Sequence, residues 1–141
     1  MQLSARNVLK GTIQNIDEGA VNGVVAIDMN GQTIKADITM DAIKSMGLKT
    51  GEQAYAVIKA SSVMFAAGNE RINNLSARNQ IHGTIADIQQ GAVNGIITLE
   101  IADGVCIKGS ITNEAIKQLD FKAGEKALAV IKSTDVMVAI D

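Results

Sequence analysis

The chain repeats itself, and the repeat limits what it can fold into. Leu3-Ser4-Ala5-Arg6-Asn7 returns 72 residues later as Leu75-Ser76-Ala77-Arg78-Asn79. Gly11-Thr12-Ile13 returns as Gly83-Thr84-Ile85, and Gly19-Ala20-Val21-Asn22-Gly23 as Gly91-Ala92-Val93-Asn94-Gly95. One residue is then added around Asp103-Gly104, so that Thr39 matches Thr112 and Val57-Ile58-Lys59 matches Val130-Ile131-Lys132 at an offset of 73. About half of the aligned positions are identical, which marks a tandem duplication. The 141 residues therefore divide into two modules, 1–67 and 75–141, joined by the polar, turn-rich linker 68–74. A linker that short lets the modules pack against each other rather than tumble freely.

Each module reads as five strands and one short helix. Val8 to Ile16 is rich in apolar and β-branched residues, and Val21 to Met29 is an almost unbroken apolar run, as in a strand buried on both faces. Asn30-Gly31 is a strong hairpin signal. From Gln32 to Ile38 the pattern alternates: Ile34, Ala36 and Ile38 face one way, Thr33, Lys35 and Asp37 the other. Thr39 is placed to cap a helix that ends near Gly47, with Asp41 in its first turn. Strands over Gln53–Lys59 and Val63–Ala66 follow, and module two repeats the order with its helix over Asn113–Lys117. The predicted fold class is all-β: two tandem OB-like five-stranded barrels, each with one short helix between its third and fourth strands.

A module of roughly 70 residues buries little surface and leans on disulfides, metals or partners. Cys106 is the only cysteine and His82 the only histidine, which excludes a disulfide and a Cys/His metal cluster. Association between copies is left, and a chain 47% hydrophobic and only 20% charged agrees with apolar surface hidden between subunits. The net charge of −2 carries no basic nucleic-acid footprint. OB-type surfaces that bind nucleic acid stack bases on aromatic rings, whereas Tyr55, Phe65 and Phe121 are unmatched between the modules. No apolar run reaches the roughly 20 residues that span a bilayer. The repeat motif begins at Leu3, leaving no room for a signal peptide, so a cytoplasmic protein without membrane contact is expected.

Enzyme chemistry finds little support. The position of His82 is Lys10 in module one, so no histidine-based triad is shared, and Cys106 stands where module one has Thr33. Neither a phosphate loop nor a dinucleotide fingerprint is present. The expectation is a protein that is not an enzyme and carries no organic cofactor.

What recurs instead is a set of anion donors. Ser4 and Arg6 return as Ser76 and Arg78, Lys59 as Lys132, and Thr39 as Thr112 at a helix start. Arginine offers a planar fork and lysine a point charge, while a helix N-terminus adds free N–H groups. Small residues at Ala5, Ala42 and Ala60 would let backbone amides approach a ligand. The combination suits a tetrahedral dianion.

The ordered recurrence of Ser-Ala-Arg-Asn, Gly-Ala-Val-Asn and Val-Ile-Lys over essentially the whole chain resembles the molbindin (Mop) family of molybdate-binding proteins, in its form with two Mop, or TOBE-like, modules. The resemblance implies OB-like barrels assembled with three-fold symmetry, a homotrimer of six modules with oxyanions between modules. It implies that Ser4, Ala5, Arg6, Asn7, Lys59 and Ala60 come from one module and Thr39 and Ala42 from a neighbour. The counterparts are Ser76, Ala77, Arg78, Asn79, Lys132, Ser133, Thr112 and Ala115. A second class of site, near the symmetry axis, would use Ala20, Val21 and Asn22, and Ala92, Val93 and Asn94. The implied function is cytoplasmic storage or homeostasis of molybdate, with tungstate bound similarly. The alternative is an oxyanion-sensing interaction module that docks on a transporter or regulator.

Overall fold

The computed structural model describes residues 2–141. Module one runs β1 (Asn7–Glu18), β2 (Asn22–Met29), β3 (Gln32–Thr39), α1 (Met40–Met46), β4 (Gln53–Ile58), a 3₁₀ turn (Ala60–Ser62) and β5 (Met64–Ala67). Module two repeats it as β6 (Asn79–Gln90), β7 (Asn94–Ala102), β8 (Val105–Thr112), α2 (Asn113–Gln118), β9 (Lys126–Ile131), a 3₁₀ turn (Ser133–Asp135) and β10 (Met137–Ala139). The fold is mostly β, as expected, and the strand and helix bounds fall within a residue or two of those read from periodicity. The two 3₁₀ turns were not foreseen.

Local chemistry accounts for the turns. Asn30 and Gly31 both have positive φ, +52° and +102°, which is the twist a two-residue hairpin needs to join β2 to β3. The extra residue of module two is absorbed beside the corresponding hairpin, where the β7–β8 register slips between Glu100 and Ala102. Thr39 caps α1, its hydroxyl accepting from the Ala42 N–H at 3.1 Å, and Gly47 ends the helix at a φ of +63°. Thr112 caps α2 in the same way, through Ala115 N–H at 3.1 Å.

The sheets are not the ones a simple tandem array would give. Their orders are β10-β4-β1-β2-β3 and β5-β9-β6-β7-β8. The fifth strand of each module has crossed to the other: Met64–Ala67 pairs with β9, and Met137–Ala139 with β4. The strand over Val63–Ala66, expected as the last of module one, thus closes the sheet of module two. Each sheet curls until its outer strands touch, β10 against β3 and β5 against β8. Bulges in β1 after Ile13 and in β6 after Ile85 contribute to the curl.

Exchange makes the interior common property. One continuous core holds Ile13, Ile27, Ile34 and Ile58 from module one and Ile85, Ile97, Ile107 and Ile131 from module two. Two buried amides tie the halves together with near-symmetric bonds. The Asn7 side chain donates to Ile58 O (3.1 Å) and Lys108 O (2.8 Å) and accepts from Lys108 N (2.8 Å). The Asn79 side chain donates to Lys35 O and accepts from Lys35 N, both at 2.8 Å. Gln32 adds a third tie, donating to Ile101 O at 2.8 Å.

Candidate functional site

Each module presents one depression at the start of its first strand, where the Ser-Ala-Arg arm meets the end of the fourth strand and the following 3₁₀ turn. The first, about 240 Å³, is lined by Ser4, Ala5, Arg6, Lys59, Ala60, Ser61 and Ser110. The second, about 290 Å³, is lined by Ser76, Ala77, Arg78, Lys132, Ser133 and Thr134, with Met64 and Leu75 at its apolar side. The arm and the Val-Ile-Lys strand end lie more than fifty residues apart in sequence. The antiparallel pairing of β1 with β4, Asn7 opposite Ile58, and of β6 with β9, Asn79 opposite Ile131, sets them side by side.

Electrostatically the depressions are cationic and uncompensated. Arg6, Lys59, Arg78 and Lys132 are all exposed. The single ion pair among the described residues lies elsewhere, between Lys122 Nζ and Asp120 Oδ2 at 3.4 Å. Serine and threonine hydroxyls add neutral donors. A 3₁₀ turn also leaves its first N–H groups without internal partners, and in both modules such a turn begins in the depression.

Several expected site residues are placed differently. Asn7 and Asn79 are 1% and 2% exposed, and their side chains hold the modules together instead of facing the depressions. Thr39, Ala42, Thr112 and Ala115 line neither depression of their own chain. The helix N-termini are also less open than expected. Met40 N–H donates to Val21 O and Asn113 N–H to Val93 O, both at 2.8 Å, while the Ala42 and Ala115 N–H groups are bonded by the capping hydroxyls. Those backbone amides therefore have partners already. A capping threonine oxygen accepts a bond and still has its own proton to donate.

Ala20, Val21 and Asn22, and Ala92, Val93 and Asn94, sit at the exposed β1–β2 and β6–β7 turns. Asn22 Nδ2 donates to Asp37 Oδ1 at 3.1 Å, so this amide has a carboxylate partner. A wider depression of about 420 Å³ brings together His82, Glu100, Asp103 and Lys126. Its mixed charge, with two carboxylates, does not suit a dianion. Among the described residues no group of three or more His, Cys, Asp or Glu side chains is arranged to hold a metal cation.

Sequence reasoning passed over Ser61, Thr134 and Ser110. The first two were legible as a repeated hydroxyl after Ala60 and Ser133. Ser110 was not, because it belongs to the opposite module and is replaced by Asp37 in the repeat.

The model of the TOBE domain family matches residues 3–65 and again 75–138. The molybdenum transport protein ModE of Herbaspirillum seropedicae is 39% identical over 141 residues, 99% of this chain and 52% of that protein. The molybdenum-pterin-binding protein MopA of Rhodobacter capsulatus is 35% identical, again over 99% of this chain and 53% of its own length. The chain thus spans about half the length of these relatives. The solved structure of the cytoplasmic molybdate-binding protein ModG, with molybdate bound, superposes with a TM-score of 0.93 at 39% identity and covers both chains completely. No described helix is long and apolar enough to cross a membrane. With both halves matched and the same depression built twice, this chain belongs to the molbindin family of two-module TOBE-domain proteins.

Proposed function

We propose that this chain binds molybdate, and tungstate in the same way, at the paired depressions, and serves intracellular storage or homeostasis in the cytoplasm rather than catalysis. The observation that carries the reading is the convergence, twice, of an unpaired arginine, an unpaired lysine and a serine on one small depression. A hydrogen bond to a charged group contributes roughly 1.5–3 kcal/mol net, so three to five reach the about 8 kcal/mol of micromolar affinity. The resemblance to molybdate-bound ModG over the whole chain supports the choice of oxyanion.

In this reading the depressions are completed by a second copy. Thr39 and Thr112 of a neighbouring protomer turn their hydroxyl protons to the ion, and a homotrimer brings six modules together. Val21 and Val93, 75% and 72% exposed at equivalent turns, favour such an assembly, because large apolar side chains standing in water at repeated positions are suited to burial between subunits. Calorimetric titration with molybdate tests the reading. Micromolar binding is expected, with sulfate far weaker, and absence of heat with molybdate overturns it. Arg6→Ala combined with Arg78→Ala should remove most of the binding while leaving the thermal transition in place; binding that survives both changes overturns the site.

A second reading has its own support. Because the chain matches only about half of a longer molybdenum transport protein, the same fold also suits an oxyanion-sensing module that docks on a transporter or regulator. Stoichiometric recovery of such a protein with the tagged chain, dependent on molybdate, would favour it.

A further inference from the structure

The two depressions are built from the same repeat, yet they do not have the same walls. The first includes Ser110, which comes from β8 of the opposite module. Its presence there follows from the Asn7 clamp. The Asn7 amide bonds both backbone groups of Lys108 at 2.8 Å, which fixes β8 alongside the Ser4–Arg6 arm, and Ser110 is two residues further along the same face. The Asn79 clamp holds Lys35 of β3 in the same way, and Asp37 occupies the repeat position equivalent to Ser110. The strand pairings agree, with Ser110 opposite Ile96 and Asp37 opposite Val24, the equivalent residue of the repeat. Asp37 does not line the second depression, and its carboxylate is held by Asn22 at 3.1 Å. In compensation the second depression has Ser133, 7% exposed, where the first has Ala60.

Resting on the oxyanion reading above, we infer that Ser110 is a binding residue of the first site, donating its hydroxyl to the ion across the module boundary. The second site takes a donor from its own Ser133 and has no hydroxyl at the position of Ser110, where the repeat places Asp37. The chain therefore carries two unequal sites: the first takes a hydroxyl from the opposite module, whereas the second takes from it only the apolar Met64. A neutral hydroxyl facing a dianion adds a charge-assisted hydrogen bond, whereas a carboxylate at that position repels it.

Molybdate calorimetry on the intact chain separates the sites. In an Arg78→Ala background, which leaves the first site, Ser110→Ala should weaken binding ~10-fold or more, the worth of one hydrogen bond to a charged group. Ser110→Asp should weaken it further. In an Arg6→Ala background, which leaves the second site, Ser110→Ala should change nothing. Should Ser110→Ala fail to fold, the isosteric pair Ser110→Thr and Ser110→Val, both favourable in a strand, carries the same comparison: the first binds and the second does not. Equal affinity of that pair, or of the Arg78→Ala chain with and without Ser110→Ala, overturns the inference while wild-type binding leaves the oxyanion reading intact. A wild-type chain that takes up no molybdate overturns both.

Discussion

Between Arg6 and Asn7 the chain passes from solvent to core. The guanidinium is exposed, whereas the neighbouring amide is 1% exposed and makes three bonds, two of them to the opposite module. The same division holds for Arg78 and Asn79. From the sequence alone the motif reads as a single polar cluster, because nothing in Ser-Ala-Arg-Asn shows which of its polar groups is buried. Arg6 and Arg78, Lys59 and Lys132, and Ser4 and Ser76 were legible as repeated donors, while the asparagines were legible only as repeated. Removing the clamp should be costly. Asn7→Ala leaves Lys108 N–H and two carbonyls without their partner, so urea unfolding should show a loss of about 2–4 kcal/mol. Asn79→Ala should lose a comparable amount. A loss under about 0.5 kcal/mol, typical of surface changes, would show that water replaces these bonds without cost.

At the scale of elements, strands and helices were readable because each has its own periodicity, and the capped helix at Thr39 because capping is local. The exchange of β5 and β10 was not. The two strands occupy equivalent repeat positions, Phe65 opposite Ala129 and Val138 opposite Ala56, and a period of two says nothing about which sheet is joined. The discriminating signal is one of size. Gly109 leaves room for Phe65: a Cβ there would overlap the ring. Phe65 also meets Phe121 edge to face, with centroids 6.3 Å apart. The equivalents in module one are Ala36 and Leu48, which suit the smaller Val138. Returned to its own module, Phe65 would meet a methyl where it needs space. Gly109→Ala should therefore destabilise the chain by about 1–3 kcal/mol through overpacking. Adding Phe65→Val should recover part of that loss, as a double-mutant cycle in thermal or denaturant unfolding would show. Simple additivity would mean that the pair does not select the exchange.

For the molecule as a whole, composition spoke of buried surface but not of where it lies. Part of that surface turns out to be internal, in the one core shared by both modules. The rest is outside: Leu3, Val21, Met64, Val93 and Leu119 remain more than 40% exposed in the single chain. On the trimer proposed above, Val21→Glu with Val93→Glu places charges at both exposed turns and should lower the mass in sedimentation equilibrium from three times 14.8 kDa to one, without lost secondary structure. An unchanged mass would move the subunit contact elsewhere. The shared core predicts in addition one unfolding transition rather than two, detectable as equal calorimetric and van't Hoff enthalpies.

The exchanged strands give the connection at 68–74 a meaning beyond spacing. Two separate half-length polypeptides could trade their last strands only by meeting, so the folded fraction would depend on dilution. Fusion turns that encounter into a unimolecular step, with the missing strand always present at high effective concentration. Cleaving the tether should thus leave the seam intact once formed, yet make refolding slower as the sample is diluted.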